Sequence, residues 1–321
     1  MKLGVIMDPI SGINIKKDST FAMLLAAQKR RWEILYMEMP DLHLRDDRPF
    51  ARMRTLSVKD DSKGWSDFTS DQTLALDELD IILMRKDPPF NMEYIYTTHF
   101  LDHAEKAGTM VVNNPDSLRD ANEKLFVSHF PECAPPTLVT RNSNLIKSFI
   151  EEHREIILKP LDGMGGRSIF RTHTSDHNIN VIIESLTDNG TRFAMAQKYL
   201  PEIEHGDKRI LMIDGEPVDY ALARIPMAGE TRGNLAAGGT GKGVELTSRD
   251  RWICEQVGPV LRQKGLLFVG LDVIGDYLTE INVTSPTCIR ELDAIYGIDI
   301  AGQLMDTLAN KINSRSGSNT P

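Results

Sequence analysis

Lys159-Pro160-Leu161-Asp162-Gly163-Met164-Gly165-Gly166 is the first glycine-rich run of the chain. It lies between residues 156–160 and 168–171, two short runs that read as strands. A P-loop or a dinucleotide-binding turn opens a helix directly after its glycines. None follows here, so both of those folds are disfavoured. A strand-to-strand loop of this kind can lay the backbone N–H groups of Gly163, Gly165 and Gly166 over phosphate oxygens, with Lys159 at the strand end adding positive charge. An ordinary hairpin turn would carry the same letters, so the rest of the chain has to choose.

A second glycine-rich stretch makes the choice. Residues 225–243 hold six glycines together with Arg232 and Lys242 and cannot form a core. So long a loop inside a compact domain is either a linker or an active-site lid. A linker separates domains, whereas this loop is followed by more fold, and its cations favour a lid that closes over a phosphorylated species and excludes water.

A third constellation is Gly270-Leu271-Asp272-Val273-Ile274 followed by Leu278-Thr279-Glu280-Ile281-Asn282. Carboxylates interrupt otherwise apolar strands here, and an unpaired buried carboxylate is costly. Asp272, Glu280 and Asn282 are hard oxygen donors of the kind magnesium shares with nucleotide phosphates. Glu280 and Asn282 fall on one face by strand alternation. A two-residue turn at Gly275-Asp276 would pair Asp272 with Thr279 and turn Glu280 away, so the expectation is a three-residue connection, Gly275-Asp276-Tyr277, that sets Asp272 opposite Glu280. Gln197-Lys198-Tyr199-Leu200 closes another strand and is followed by Asp207, an arrangement able to offer backbone groups to adenine and a carboxylate to ribose.

Outward from these motifs, residues 3–7 read as a buried strand followed by a helix after Asp18-Ser19. Residues 81–84, a helix over 91–106 and residues 110–112 continue the alternation, which predicts a parallel sheet. Residues 41–71 are polar and without sustained period and read as a loop with room for one strand. From residue 124 the pattern turns α+β: strands at 137–140 and 193–198, a helix at 143–152, strand pairs at 209–213 with 218–224 and at 268–274 with 278–283, and helices at 249–264 and 300–312. The expected division is 1–123, then 124–312 with a lid over about 124–200 and a C-terminal subdomain over about 201–312, then a disordered tail at 313–321.

The 321-residue chain carries a net charge of -9, which argues against nucleic acid as its partner. No apolar run approaches the roughly 20 residues that cross a membrane, and no targeting segment is legible. Three cysteines without paired spacing point to a reducing, cytoplasmic setting.

Together, Met7-Asp8-Pro9, residues 13–19, Met84-Arg85-Lys86-Asp87-Pro88-Pro89-Phe90, the Lys159–Gly166 stretch, Glu230-Thr231-Arg232-Gly233-Asn234 and residues 279–290 resemble the ATP-grasp superfamily, and within it the bacterial glutathione synthetases. The resemblance covers all but the tail. It implies an ATP-grasp fold, α/β and α+β, preceded by a parallel-sheet domain. It implies a homotetrameric ligase that joins γ-glutamylcysteine to glycine with ATP and magnesium, or manganese in its place, through an acyl-phosphate. On matching positions, Lys124 and Lys159 would hold phosphates, Gln197, Lys198, Tyr199 and Leu200 would line adenine, and Asp207 would meet ribose. Asp272, Glu280 and Asn282 would hold the metal. Arg209, Arg224 and Arg232 would neutralise the reacting groups, and Arg85, Asn282, Ser285 and Thr287 would shape the peptide pocket. The alternatives are another carboxylate–amine ligase of the same superfamily, such as one joining D-alanines or adding glutamate, and a nucleotide-binding regulator without catalysis.

Overall fold

The alternation of apolar runs and capped helices at the start of the chain builds the first sheet. A computed structural model describes residues 1–317 except 228, 230–232 and 234–237, with the side chains of residues 316 and 317 also excluded. The first eight strands are β1 (Lys2–Ile6), β2 (Glu33–Met37), β3 (Leu42–Arg45), β4 (Arg48–Val58), β5 (Ser66–Phe68), β6 (Gln72–Ala75), β7 (Ile81–Met84) and β8 (Met110–Val112). The order along the sheet is β3-β4-β2-β1-β7-β8, with β5 and β6 also on β4. The expected parallel sheet is its centre: β2, β1, β7 and β8 run parallel, each with both faces buried, as apolar runs require. Helix α1 (Ser19–Lys29) starts where the Asp18 side chain accepts the Phe21 N–H at 2.6 Å, and α2 (Met92–Lys106) starts on Asn91 in the same way. The short α3 (Pro115–Asp120) follows β8.

Residues 41–71, expected as a loop, are mostly strand. β4 alternates buried Pro49, Ala51 and Met53 with outward-facing arginines and carries β3, β5 and β6 antiparallel along its length. The arginine stems cover the sheet while their charged ends reach acids, as Arg48 does with Asp77 at 2.8 Å.

The middle sheet holds β9 (Thr137–Thr140), β10 (Glu155–Pro160), β11 (Phe170–His173) and β12 (Ala194–Lys198) in the order β11-β10-β12-β9, all antiparallel. Helices α4 (Ser143–His153) and α5 (Ile179–Thr187) cover it. The third sheet is β13 (Asp207–Ile213), β14 (Glu216–Ile225), β15 (Thr240–Glu245), β16 (Phe268–Ile274) and β17 (Tyr277–Asn282), in the order β15-β14-β13-β16-β17. The loop expected over 225–243 is therefore shorter, because residues 240–245 form β15 on β14. Helix α6 (Ser248–Gln263) opens on a Thr247–Asp250 capping box, α7 (Ile289–Tyr296) follows β17, and α8 (Ile300–Gly317) runs five residues beyond the end expected at 312. The rest of the expected tail, 318–321, lies outside the described residues.

Three apolar cores result. Two join the first and third sheets: Ile6, Leu35 and Val111 pack with Ile210 and Leu271 in one, and Leu3, Leu24 and Ile34 with Leu211, Phe268 and Leu304 in the other. Asn113 stitches the same two sheets, donating to the carbonyls of Phe268 at 2.8 Å and Val283 at 2.7 Å and accepting the Phe268 N–H. The third core is Ile146, Ile150, Ile156, Leu158, Ile183, Leu186, Ala194 and Ala196, all within the middle sheet and its helices. Cys133, Cys254 and Cys288 are buried free thiols, at most 1% exposed.

Candidate active site between two antiparallel sheets

A cavity of about 380 Å³ opens between the middle and third sheets, with Asp87 and Pro88 of the first sheet's loop at one end. Its floor follows from strand register. Arg209 on β13 lies beside Asp272 on β16, which lies beside Glu280 on β17, and two residues along β13 Asp207 lies beside Arg224 on β14. Period-two alternation puts all five on one face.

The hairpin reaches this register by a route the sequence reading did not choose. Ile274 pairs with Tyr277, so the turn has two residues, Gly275 and Asp276, and the expected three-residue connection is wrong. A bulge between Asp272 and Val273 takes Thr279 out of the ladder and restores Asp272 opposite Glu280. The displaced residue is used: Thr279 donates its hydroxyl to Asp272 O at 3.1 Å and its carbonyl accepts Lys159 Nζ at 3.3 Å.

Arg209 holds Asp272 in a two-bond grip, Nε to Oδ1 at 2.5 Å and Nη2 to Oδ2 at 3.0 Å, and Arg224 Nη2 reaches the same Oδ2 at 2.8 Å while also pairing with Asp207. Gly270 makes this possible, since a Cβ there would stand 2.8 Å from Arg209 Cδ. Burial opposes ionisation of Asp272, yet the two guanidinia hold it down at about 2. Asp207, with one of the two arginines, is pushed by burial up to about 6, and its Oδ1 is buried without a hydrogen-bond partner among the described residues. Neither arginine is a surface pair.

The two lysines divide. Lys124 caps the 3-10 turn Leu125–His129, donates to Gly163 O and pairs with Glu280 at 3.0 Å. Burial works against its charge, but Glu280 outweighs it and raises the pKa. Lys159, facing into the cavity from β10 without an acid in contact among the described residues, is lowered by burial to about 8. On the cavity lining Lys124, Lys159, Arg167, Lys198, Arg209 and Arg224 outnumber Asp87, Glu123, Asp207 and Glu280, with Asp272 buried behind Arg209 and Arg224.

Gly163, Gly165, Gly166, Gln197, Lys198, Tyr199 and Leu200 all line the cavity, and Ile157, Ile203 and Ile274 give it an apolar slot. Asn282, Ser285 and Thr287 line it too. Arg85 does not: its Nε donates to Thr20 Oγ1 at 3.1 Å and its Nη2 to Pro286 O at 2.9 Å, so it braces the 285–287 segment from behind. Arg232 lies outside the described residues. Sequence reading missed Glu123, whose Oε1 accepts Val283 N at 2.9 Å, Thr284 N at 3.0 Å and Thr284 Oγ1 at 2.8 Å. Only its place beside Lys124 signalled it.

Among the described residues no group of three or more His, Cys, Asp and Glu side chains is arranged to hold a metal. Glu280 and Asn282 nevertheless both reach the cavity, and two oxygen donors with nucleotide phosphates suit magnesium; Asp272 would share a carboxylate already held by two arginines.

The geometry agrees with comparisons to known proteins. Solved structures share the fold: a D-cycloserine synthetase, DcsG, at TM-score 0.67 and 14% identity over 97% of this chain and 100% of that one, and the ATP-grasp ligase PsnB with minimal precursor, Mg and ADP at TM-score 0.62 and 16% identity over 97% and 98%. The glutathione synthetases of Pseudomonas putida (61% identical over 98% of this chain and 99% of that one) and Vibrio vulnificus (59% over 98% and 99%) align almost end to end. Residues 1–119 match the prokaryotic glutathione synthetase N-terminal domain and residues 123–297 its ATP-grasp domain. The chain belongs to the prokaryotic glutathione synthetase family.

Proposed function

We propose that this chain forms glutathione from γ-glutamylcysteine and glycine in an ATP-dependent ligation, and that the cavity between the middle and third sheets carries it out. The observation that carries the reading is that Arg209, Arg224 and Glu280, set in register around the buried Asp272, line one cavity with Lys124 and Lys159. The apolar slot beside Gln197 to Leu200 takes adenine, leaving the cationic middle for the phosphates. There Lys124, Lys159 and the glycines of the 163–166 loop hold the chain of phosphates, and Arg209, Arg224 and Arg232 offset the charge on the transferring group. Asp207 takes up the ribose in exchange for part of its contact with Arg224. Glu280 and Asn282, with Asp272 behind them, would hold magnesium, or manganese, which supplies charge neutralisation and alignment of the γ-phosphate. Ser285 and Thr287, braced by Arg85, shape the dipeptide end.

Phosphoryl transfer to the cysteinyl carboxylate gives an acyl-phosphate; the glycine amine attacks it, the C–N bond forms, and phosphate departs with the C–O electron pair. No protein base is needed for phosphoryl transfer itself, which depends on alignment and charge. By family resemblance the enzyme is a cytoplasmic homotetramer. The test is ADP release by the purified protein with magnesium and ATP, offered γ-glutamylcysteine plus glycine, D-alanine, glutamate or no acceptor. Release with the first pair alone is expected; release with another pair moves the substrate, and no release in any case overturns the ligase reading.

A further inference from the structure

We propose that Glu123 holds the ammonium group of the incoming amine and so fixes the place of glycine, a role that rests on the ligase reading above. Four carboxylates, Asp87, Glu123, Asp207 and Glu280, line the cavity, with Asp272 held behind them by Arg209 and Arg224. Asp207 and Asp272 are taken by Arg224 and Arg209, and Glu280 by Lys124 at 3.0 Å. Asp87 stands exposed at the mouth. Glu123 is half-buried within the wall and forms no ion pair among the described residues.

Its carboxylate is rigid but only half used. Oε1 takes all three bonds, from Val283 N, Thr284 N and Thr284 Oγ1, while Oε2 accepts none among the described residues. The clamp is completed by Ile281 N, which donates to Glu123 O at 2.8 Å. A carboxylate fixed in a cavity wall without a cation is costly, and burial raises its pKa accordingly. An arriving ammonium removes that cost with a charge-assisted hydrogen bond. The position also fits the reaction. Glu123 sits next to Lys124 in sequence and is clamped by the residues that follow Asn282, so it lies between the phosphate end and the Ser285–Thr287 end, where an amine must stand to reach the acyl carbon.

The test is Glu123→Gln in the full-length enzyme. The glutamine oxygen still accepts the three Oε1 bonds, so the change removes charge and spares shape. The expected result is a rise of tenfold or more in KM for glycine, with KM for ATP and for the dipeptide shifted less than twofold. An unchanged glycine KM, or an equal shift in ATP and magnesium dependence, overturns the proposal. Should the variant not fold, methylammonium on the wild-type enzyme decides: competition with glycine, against potassium at equal ionic strength, is expected, and its absence overturns the assignment. A wild-type enzyme without glycine-dependent ADP release would instead overturn the ligase reading, which separates the two failures.

Discussion

Lys159 and Asp272 show what burial does to a charge with and without a partner. Lys159 loses its proton near pH 8 in the folded chain and near 10.5 when exposed, so between these values the unfolded chain binds more protons and this residue's contribution to stability grows as pH rises. Its use runs the other way, because only the charged form attracts phosphate. ATP affinity is therefore expected to fall as pH climbs through about 8, and Lys159→Met to bind ATP weakly with that pH dependence gone; calorimetry at pH 7 and 9 checks both. Asp272 is the reverse case. Replacing it with Asn leaves Arg209 buried without an acid partner among the described residues, while Arg224 keeps Asp207. The expected loss is about 3–5 kcal/mol in urea unfolding, the size seen when one member of a buried pair is removed. A loss under about 1 kcal/mol would mean that water reaches Arg209.

Among the elements, the hairpin of β16 and β17 explains why the site was more legible than its scaffold. Acidic residues inside apolar strands announce themselves because burial without a partner is forbidden, so Asp272, Glu280 and Asn282 could be grouped from sequence. The turn could not be read, since a bulge at Thr279 substitutes for an extra loop residue and local sequence does not distinguish the two. β4 was missed for another reason: Pro49, Ala51 and Met53 do alternate, but Arg48, Arg52 and Arg54 around them look like loop until their stems are seen to lie on the sheet. α5 and α7 are eight or nine residues long, too short for a secure period. Close packing was likewise invisible. Helix α6 crosses the β13–β14 turn so tightly that a Cβ on Gly258 would stand 2.2 Å from Gly215 O. Gly258→Ala is expected to cost about 1–3 kcal/mol from overpacking, measured as a lowered urea midpoint, whereas Gly12→Ala, with nothing within 4 Å of the new atom, marks the baseline.

Across the whole molecule, the first and third sheets share two cores while the middle sheet keeps a third to itself. The cavity lies along that division, so a ligand bridges parts that the apolar cores leave unjoined. Amides of β10 and β12 are therefore expected to exchange with solvent through cheaper openings than those of β1 and β13, and to slow most when ATP and magnesium are added. Uniform exchange, or protection confined to the third sheet, would count against a separately held middle sheet. The thiols complete the picture at this scale. Cys133, Cys254 and Cys288 are spread over the chain and each is sealed within it. An oxidant that strips a cell of glutathione thus finds no exposed thiol among the described residues of the enzyme that replaces it.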